Sequence, residues 1–250
     1  MNDKARHLMP PAERKKRGEE NRQAILKFLR DERWTHIDVI QALLGHKTPQ
    51  AIYRILGKMA AEGLIAKAEI PVAYGRDVAV WGITVHGLAM SWDLDEAVEP
   101  RKPFEPSKVA STMMQHKIDL QLLKVRALRS GWSDWVDGSL LGWRKSEWKV
   151  PDAVATDPQG RTTAIEVERT VKSKKRYAEI IVSHLESKRA GRWERIVYLS
   201  PTEAIAARIE REFNAITHAK YKGQVFELQD GHRASFEFKA YADLDVGEGG

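Results

Sequence analysis

The stretch VPDAVATDPQGRTTAIEVERTVKSKKRYAEIIVSHL, residues 150–185, decides how the C-terminal half of the chain folds. Val150, Ala153 and Val154 predict one strand, and Thr163 to Val167 predict a second. Between them Asp157-Pro158-Gln159-Gly160 is a turn signal, because each residue type favours a tight reversal. Two strands joined by that turn make a hairpin, which sets Asp152 beside Glu166. Glu166 and Glu168 are two residues apart, so on a strand they face the same way. Three converging carboxylates repel and raise one another's pKa. A hard divalent cation removes the conflict, and such an ion polarises a phosphoryl group or activates water. The plain alternatives are a turn residue at Asp152 and solvated edge positions at Glu166 and Glu168. Tyr177 is a candidate nucleophile, but Ile180 and Ile181 continue its apolar face and favour packing.

Outward from this stretch, residues 169–195 carry Arg169, Lys172, Lys174, Lys175, Arg176, Lys188, Arg189, Arg192 and Arg195 against Glu179, Glu186 and Glu194. Cations beside an acidic site reverse its field and admit a polyanion; the plain alternative is a solvated helix face. RIVYLSP then reads as a buried strand and TEAIAARIEREFNAI as an amphipathic helix. Residues 224–242 alternate, as in QVFELQ and ASFEFKAY, and predict a late hairpin; residues 243–250 read as a tail. Upstream, Val109 to Ser130 predicts a long helix closed by Gly131, with Met113, Ile118, Leu120, Leu122, Leu123, Val125 and Leu128 on its apolar side. His116 on it reads as a structural hydrogen-bonding residue or, less simply, a ligand or base. Residues 93–108 hold three prolines and many charges and read as a linker.

The N-terminal third has a different rhythm. Residues 1–18, with the cluster Arg14-Lys15-Lys16-Arg17, read as a basic flexible arm. A helix is expected from near Glu19, with Ile25, Leu26, Phe28 and Leu29 inward. A second follows Thr35 as N-cap, with Ile37, Ile40, Leu43 and Leu44 on one side. After the turn Gly45-His46-Lys47, a third opens at Thr48 with Pro49 in its first position. Its buried stripe is Ile52, Ile55, Leu56 and Met59, which leaves Gln50, Tyr53, Arg54 and Lys58 outward. EGLIAKAEI and VAVWGIT alternate on either side of Pro71–Asp77 and predict a hairpin whose tip carries Tyr74, Gly75 and Arg76. A last helix near Thr84 carries Val85, Leu88 and Met90. Three helices followed by a hairpin are the layout of a winged helix-turn-helix over residues 19–92, whose third helix would enter the major groove. Its expected contacts with double-stranded DNA are Gln50, Tyr53, Arg54, Lys58 and Arg76, with Arg14, Lys15, Lys16 and Arg17 on phosphates. The same layout also serves protein–protein contact.

The composition agrees. The 250 residues contain no cysteine, which excludes disulfides, thiolate metal sites and a cysteine nucleophile. Lys plus Arg exceed Asp plus Glu by 41 to 35, a formal charge of +6 that admits a nucleic-acid partner. No apolar run approaches a membrane span, and the polar N-terminus is not a signal peptide, so a cytoplasmic protein is expected.

Pro151-Asp152, then Glu166-Val167-Glu168, resembles the PD-(D/E)XK nuclease core. VAVWGITVHGL, the helix around His116, GWRKSEWKVPDAVA and AIEVERTVKSKKRY together resemble the replication-relaxation family, whose MobC-type members are plasmid mobilisation relaxases. The resemblance covers roughly residues 20–200. It implies an α/β (α+β overall) chain: a winged helix, then a PD-(D/E)XK restriction-endonuclease-like domain over 109–242. It implies a conjugation protein that recognises a transfer or replication origin and nicks one strand with Mg²⁺ or Mn²⁺, alongside relaxosome or replication accessory proteins. Asp152, Glu166 and Glu168 then match the family acids, and Glu147 matches an acid before the PD strand, so that Asp152, Glu166 and Glu147 would hold the metal. The lysine expected in the X-K position is Glu168 here; Lys172, Lys174 or Lys175 would have to replace it, Lys172 and Lys175 foremost. Without such a lysine, the alternative is a non-catalytic DNA-binding accessory or regulatory protein with a degenerate nuclease-like domain used for homodimerisation. A nuclease cutting both strands is a third expectation.

Overall fold

Pro10 and Pro11 begin the first helix in a computed structural model that describes residues 10–73, 75–141, 149–221 and 223–245. Proline is tolerated where no helical N–H is needed, and the following AERKKRGEE is rich in helix formers. Helix α1 therefore spans Pro11–Glu32, and Arg14, Lys15, Lys16 and Arg17 ride on a helix rather than on a flexible arm. Arg33 closes it with a positive φ of 66°. The short strand β1 (Trp34–Thr35) follows. Thr35 is not the next N-cap: it is fully buried, and His36 caps α2 (Ile37–Leu44) by accepting from Asp38 N at 3.3 Å. Gly45, at φ 66°, ends α2 in the left-handed region that favours glycine. Then come α3 (Pro49–Ala61), β2 (Ile65–Ile70), β3 (Val78–Ile83) and α4 (Val85–Ala89). The three strands pair antiparallel in the order β1-β3-β2. Ile25, Leu26, Leu29, Ile40, Ile52, Leu56, Met59, Leu64 and Ile83 make one core. In α4, Thr84 caps by accepting from Gly87 N at 2.9 Å, and Val85 and Met90 are exposed.

Residues 93–108 are irregular apart from a 3-10 turn at Pro106–Lys108, yet they are pinned. Lys27 pairs with Asp93, and Arg30 donates twice to Glu96 at 2.9 Å. Phe104 N donates to Ile83 O at 2.8 Å, and its ring covers Gly82, where a Cβ would come within 2.0 Å of it. Helix α5 (Met114–Arg129) starts after two such turns rather than at Val109. The chain divides into two compact units between Leu122 and Leu123, inside α5. In the first unit, Gln121 accepts from Thr35 Oγ1 at 2.8 Å and donates to Trp34 O at 2.8 Å, and Lys117 meets the buried Glu32 at 2.7 Å.

The second unit continues with β4 (Ser133–Asp137), β5 (Ala153–Thr156), β6 (Thr162–Val167), α6 (Lys174–Arg189), β7 (Arg195–Ser200) and α7 (Glu203–Asn214). It ends with β8 (His218–Tyr221), β9 (Gln224–Glu227), α8 (Asp230–Arg233), β10 (Phe236–Ala240) and a 3-10 turn at Tyr241–Asp245. Five strands form one sheet in the order β10-β7-β6-β5-β4. β4, β5 and β6 are antiparallel neighbours, whereas β6, β7 and β10 run parallel. The whole chain is thus mixed α/β. On β6 and β7, Ala164, Ile196 and Tyr198 join the core formed with Tyr177, Ile180 and Ile181 of α6 and Ile209 and Phe213 of α7. The expected late hairpin is corrected: β9 pairs with β8, and β10 joins the main sheet beside β7. The four-residue α8 separates the two alternating runs, and alternation alone does not name a strand's partner.

Candidate functional site

The turn at Asp157–Gly160 sets the register around the acids. The Asp157 side chain accepts from Gln159 N at 3.0 Å, Arg161 N at 2.9 Å, Arg161 Nε at 2.8 Å and Arg195 Nη1 at 3.1 Å. Burial pushes its pKa up, but these donors outweigh it and hold the carboxyl below the usual range. The hairpin pairs Thr156 with Thr162 and Ala153 with Ile165, so the next step brings Asp152 opposite Glu166. Asp152 Oδ2 accepts from Val167 N at 2.7 Å, and Asp152 O accepts from Gly138 N at 2.8 Å. Gly138 is required there: a Cβ would sit 1.9 Å from Pro151 O.

Glu166 and Glu168 are both buried. Glu166 pairs with Lys149 through Oε2, and His184 Nε2 of α6 lies 2.9 Å from its Oε1. That second approach is close but not aligned as a hydrogen bond, which leaves both atoms among the buried polar atoms without one. Burial alone would raise the Glu166 pKa; the Lys149 charge and the His184 ring outweigh it and bring it down to about 2. Burial also lowers the pKa of His184, against the pull of Glu166, so the imidazole is held neutral. Its ring stands edge-on to Trp193, Tyr198 and Phe236. Glu168 pairs with Lys172. Burial lowers the Lys172 pKa and repulsion from Lys149 adds to this, while Glu166 and Asp152 oppose it. Lys174 and Lys175 are exposed in the first turn of α6, so Lys172 is the candidate lysine that meets an acid. Glu147 lies outside the described residues. Tyr177 is fully buried and its hydroxyl accepts from Lys172 N at 3.0 Å, as a packed structural residue.

Two members of this cluster were not picked out from the sequence. Lys149 stands just before Val150-Pro151-Asp152, where it reads as one more surface cation. His184 falls on the inward face of α6, four residues after Ile180, and that spacing was the available signal. The donor chemistry tests the implied metal. Glu166 Oε2 is paired with Lys149 while its Oε1 has no hydrogen bond, Glu168 is paired with Lys172, and one Asp152 oxygen accepts from a backbone N–H. Among the described residues no three of His, Asp and Glu gather to hold an ion. Lys149 and Lys172 thus supply positive charge at two of the described acids, and Glu147, the third expected ligand, lies outside the described residues.

In the first unit, Gln50, Tyr53, Arg54 and Lys58 are exposed on α3, opposite Ile52, Leu56 and Met59. Lys58 shares a groove of about 210 Å³ with Arg14, Lys15, Gly18, Glu19 and Arg22 of α1, and Arg22 pairs with Glu62 at 2.8 Å. Lys16 lies instead 3.9 Å from Glu20, and Arg17 is exposed outside the groove lining. Arg76 is exposed at the hairpin tip, next to Gly75 at φ 98°; Tyr74 lies outside the described residues. No helix among the described residues is long and apolar enough to cross a membrane. No family model, curated protein or solved structure matches the chain.

Proposed function

We propose that the chain is a duplex-DNA-binding protein whose first unit is a winged helix-turn-helix. On this reading the second unit is a PD-(D/E)XK nuclease-like fold in a non-catalytic accessory role, at an origin of the kind the family resemblance implies. The observation that carries the DNA-binding reading is the joint basic surface of α3 and α1. The outward residues of α3 are polar or cationic, and Lys58 continues into the groove lined by Arg14 and Lys15. Base-reading and phosphate-contacting groups thereby lie side by side, as duplex recognition requires. The first turn of α6 adds support. Ser173 caps it by accepting from Arg176 N, yet Lys174, Lys175 and Arg176 place three cations at the positive end of the helix dipole. That placement costs the helix stability and suits an anionic partner. The ion-paired acids favour the accessory role over strand cleavage.

Selection from a randomised duplex pool by the full-length protein should enrich a motif. Arg54→Ala should then weaken binding to it by about 1–3 kcal/mol, while scrambled DNA is bound nearly as before. Enrichment of no duplex at low salt would end the DNA-binding reading. A supercoiled plasmid carrying the motif should stay closed with Mg²⁺ or Mn²⁺. Its conversion to open circles by wild-type protein but not by Asp152→Ala would replace the accessory role with that of a strand-nicking enzyme.

A further inference from the structure

We infer that Gly57 is a specificity-determining position of α3, where the missing side chain lets the helix backbone lie against the DNA. This rests on the reading of α3 as the helix that meets the duplex. Glycine inside a helix is less stable than alanine, so an interior glycine needs a reason. Several glycines of this unit have theirs within the fold, whereas Gly18, which lines the groove on α1, shares the openness of Gly57. A Cβ at Gly82 would strike Phe104 at 2.0 Å, one at Gly87 would strike Leu64 O at 2.0 Å, and Gly45 and Gly63 have positive φ.

Gly57 has none of these reasons. It lies in the interior of Pro49–Ala61, away from both helix ends, and its φ is not positive. Among the described residues a Cβ built on it meets nothing within 4 Å, so neither their packing nor the backbone geometry excludes alanine. It is exposed, and it continues the spacing of Gln50, Tyr53 and Arg54, with Lys58 as its neighbour. It therefore lies in the middle of the outward polar face. Among the described residues the helix's own chemistry favours a side chain here, and a partner lying on this face would disfavour one. On a face flanked by cations, that occupant is the duplex, and glycine permits close backbone approach to it.

The inference gives stability and binding opposite signs. Gly57→Ala should raise the melting temperature of the full-length protein by about 3 °C, because the helix improves. It should weaken binding to the selected duplex at least tenfold. Gly57→Gln, equally compatible with a helix but longer, should weaken binding further at an unchanged or higher melting temperature. If wild-type protein binds the motif and both variants bind within twofold of it, the inference is overturned and the DNA-binding reading stands. If wild-type protein binds no duplex, both fall together.

Discussion

Glu166 is a carboxylate taken out of water and held ionised by Lys149. Its pKa falls from the ordinary 4.5 to about 2, so its contribution to stability is complete above pH 4.5 and is lost as the pH drops toward 2. A shift of that size corresponds to about 3 kcal/mol. His184 acts in the same direction for a different reason. Its folded pKa lies below the ordinary 6.5, so below that pH protons are drawn to the unfolded chain and stability falls. Urea midpoints measured against pH should therefore decline in two limbs, one beginning below 6.5 and one below 4.5. His184→Phe, which fits the aromatic surroundings, should remove the upper limb and leave the lower one. A single limb in both proteins would contradict this assignment. At this scale the sequence was half legible. The acids were visible because spacing on a strand determines which residues share a face. Their cations were only partly so: Lys149 reads as a solvated lysine until the fold brings it to Glu166, and of the lysines expected near the acids the fold sets Lys172 against Glu168.

Gly138 shows how the turn after one strand fixes the backbone that leads into the next. The 3-10 turn Gly138–Leu140 follows β4, and Gly138 N holds the carbonyl of Asp152 just before β5. Because a Cβ would collide with the backbone oxygen of Pro151, Gly138→Ala should shift the Pro151–Asp152 peptide and cost about 1–3 kcal/mol, the range of an overpacked site. Urea unfolding of the full-length variant measures it; an unchanged midpoint would show that the contact relaxes freely. Elements with strong local signals were legible: the hairpin of β5 and β6 from its turn, α7 from its apolar period, α3 from Pro49. The start of α1 and the partners of β9 and β10 were not. The Pro10-Pro11 pair reads equally well as an interrupted arm, and nothing local in an alternating strand specifies the strand it will meet.

At the scale of the whole molecule, the layout of the first unit was legible because each piece is contiguous in sequence. Its extent was not. Residues 93–108 have a linker's composition, and the side chains that dock them, such as Phe104 on Gly82, look unremarkable one by one. The first unit in fact continues to Leu122, with Lys117 and Gln121 meeting Glu32, Trp34 and Thr35. This has a practical consequence for dissecting the protein. A fragment cut after residue 92 would strip the aromatic cover from β3 and remove Lys117 from the buried Glu32, and breaking a buried ion pair destabilises strongly. Expressed alone, residues 10–92 should be recovered mostly in inclusion bodies or be cleaved rapidly by trypsin. Residues 10–122, which keep both partners, should be soluble and resist trypsin as the full-length chain does over the same region.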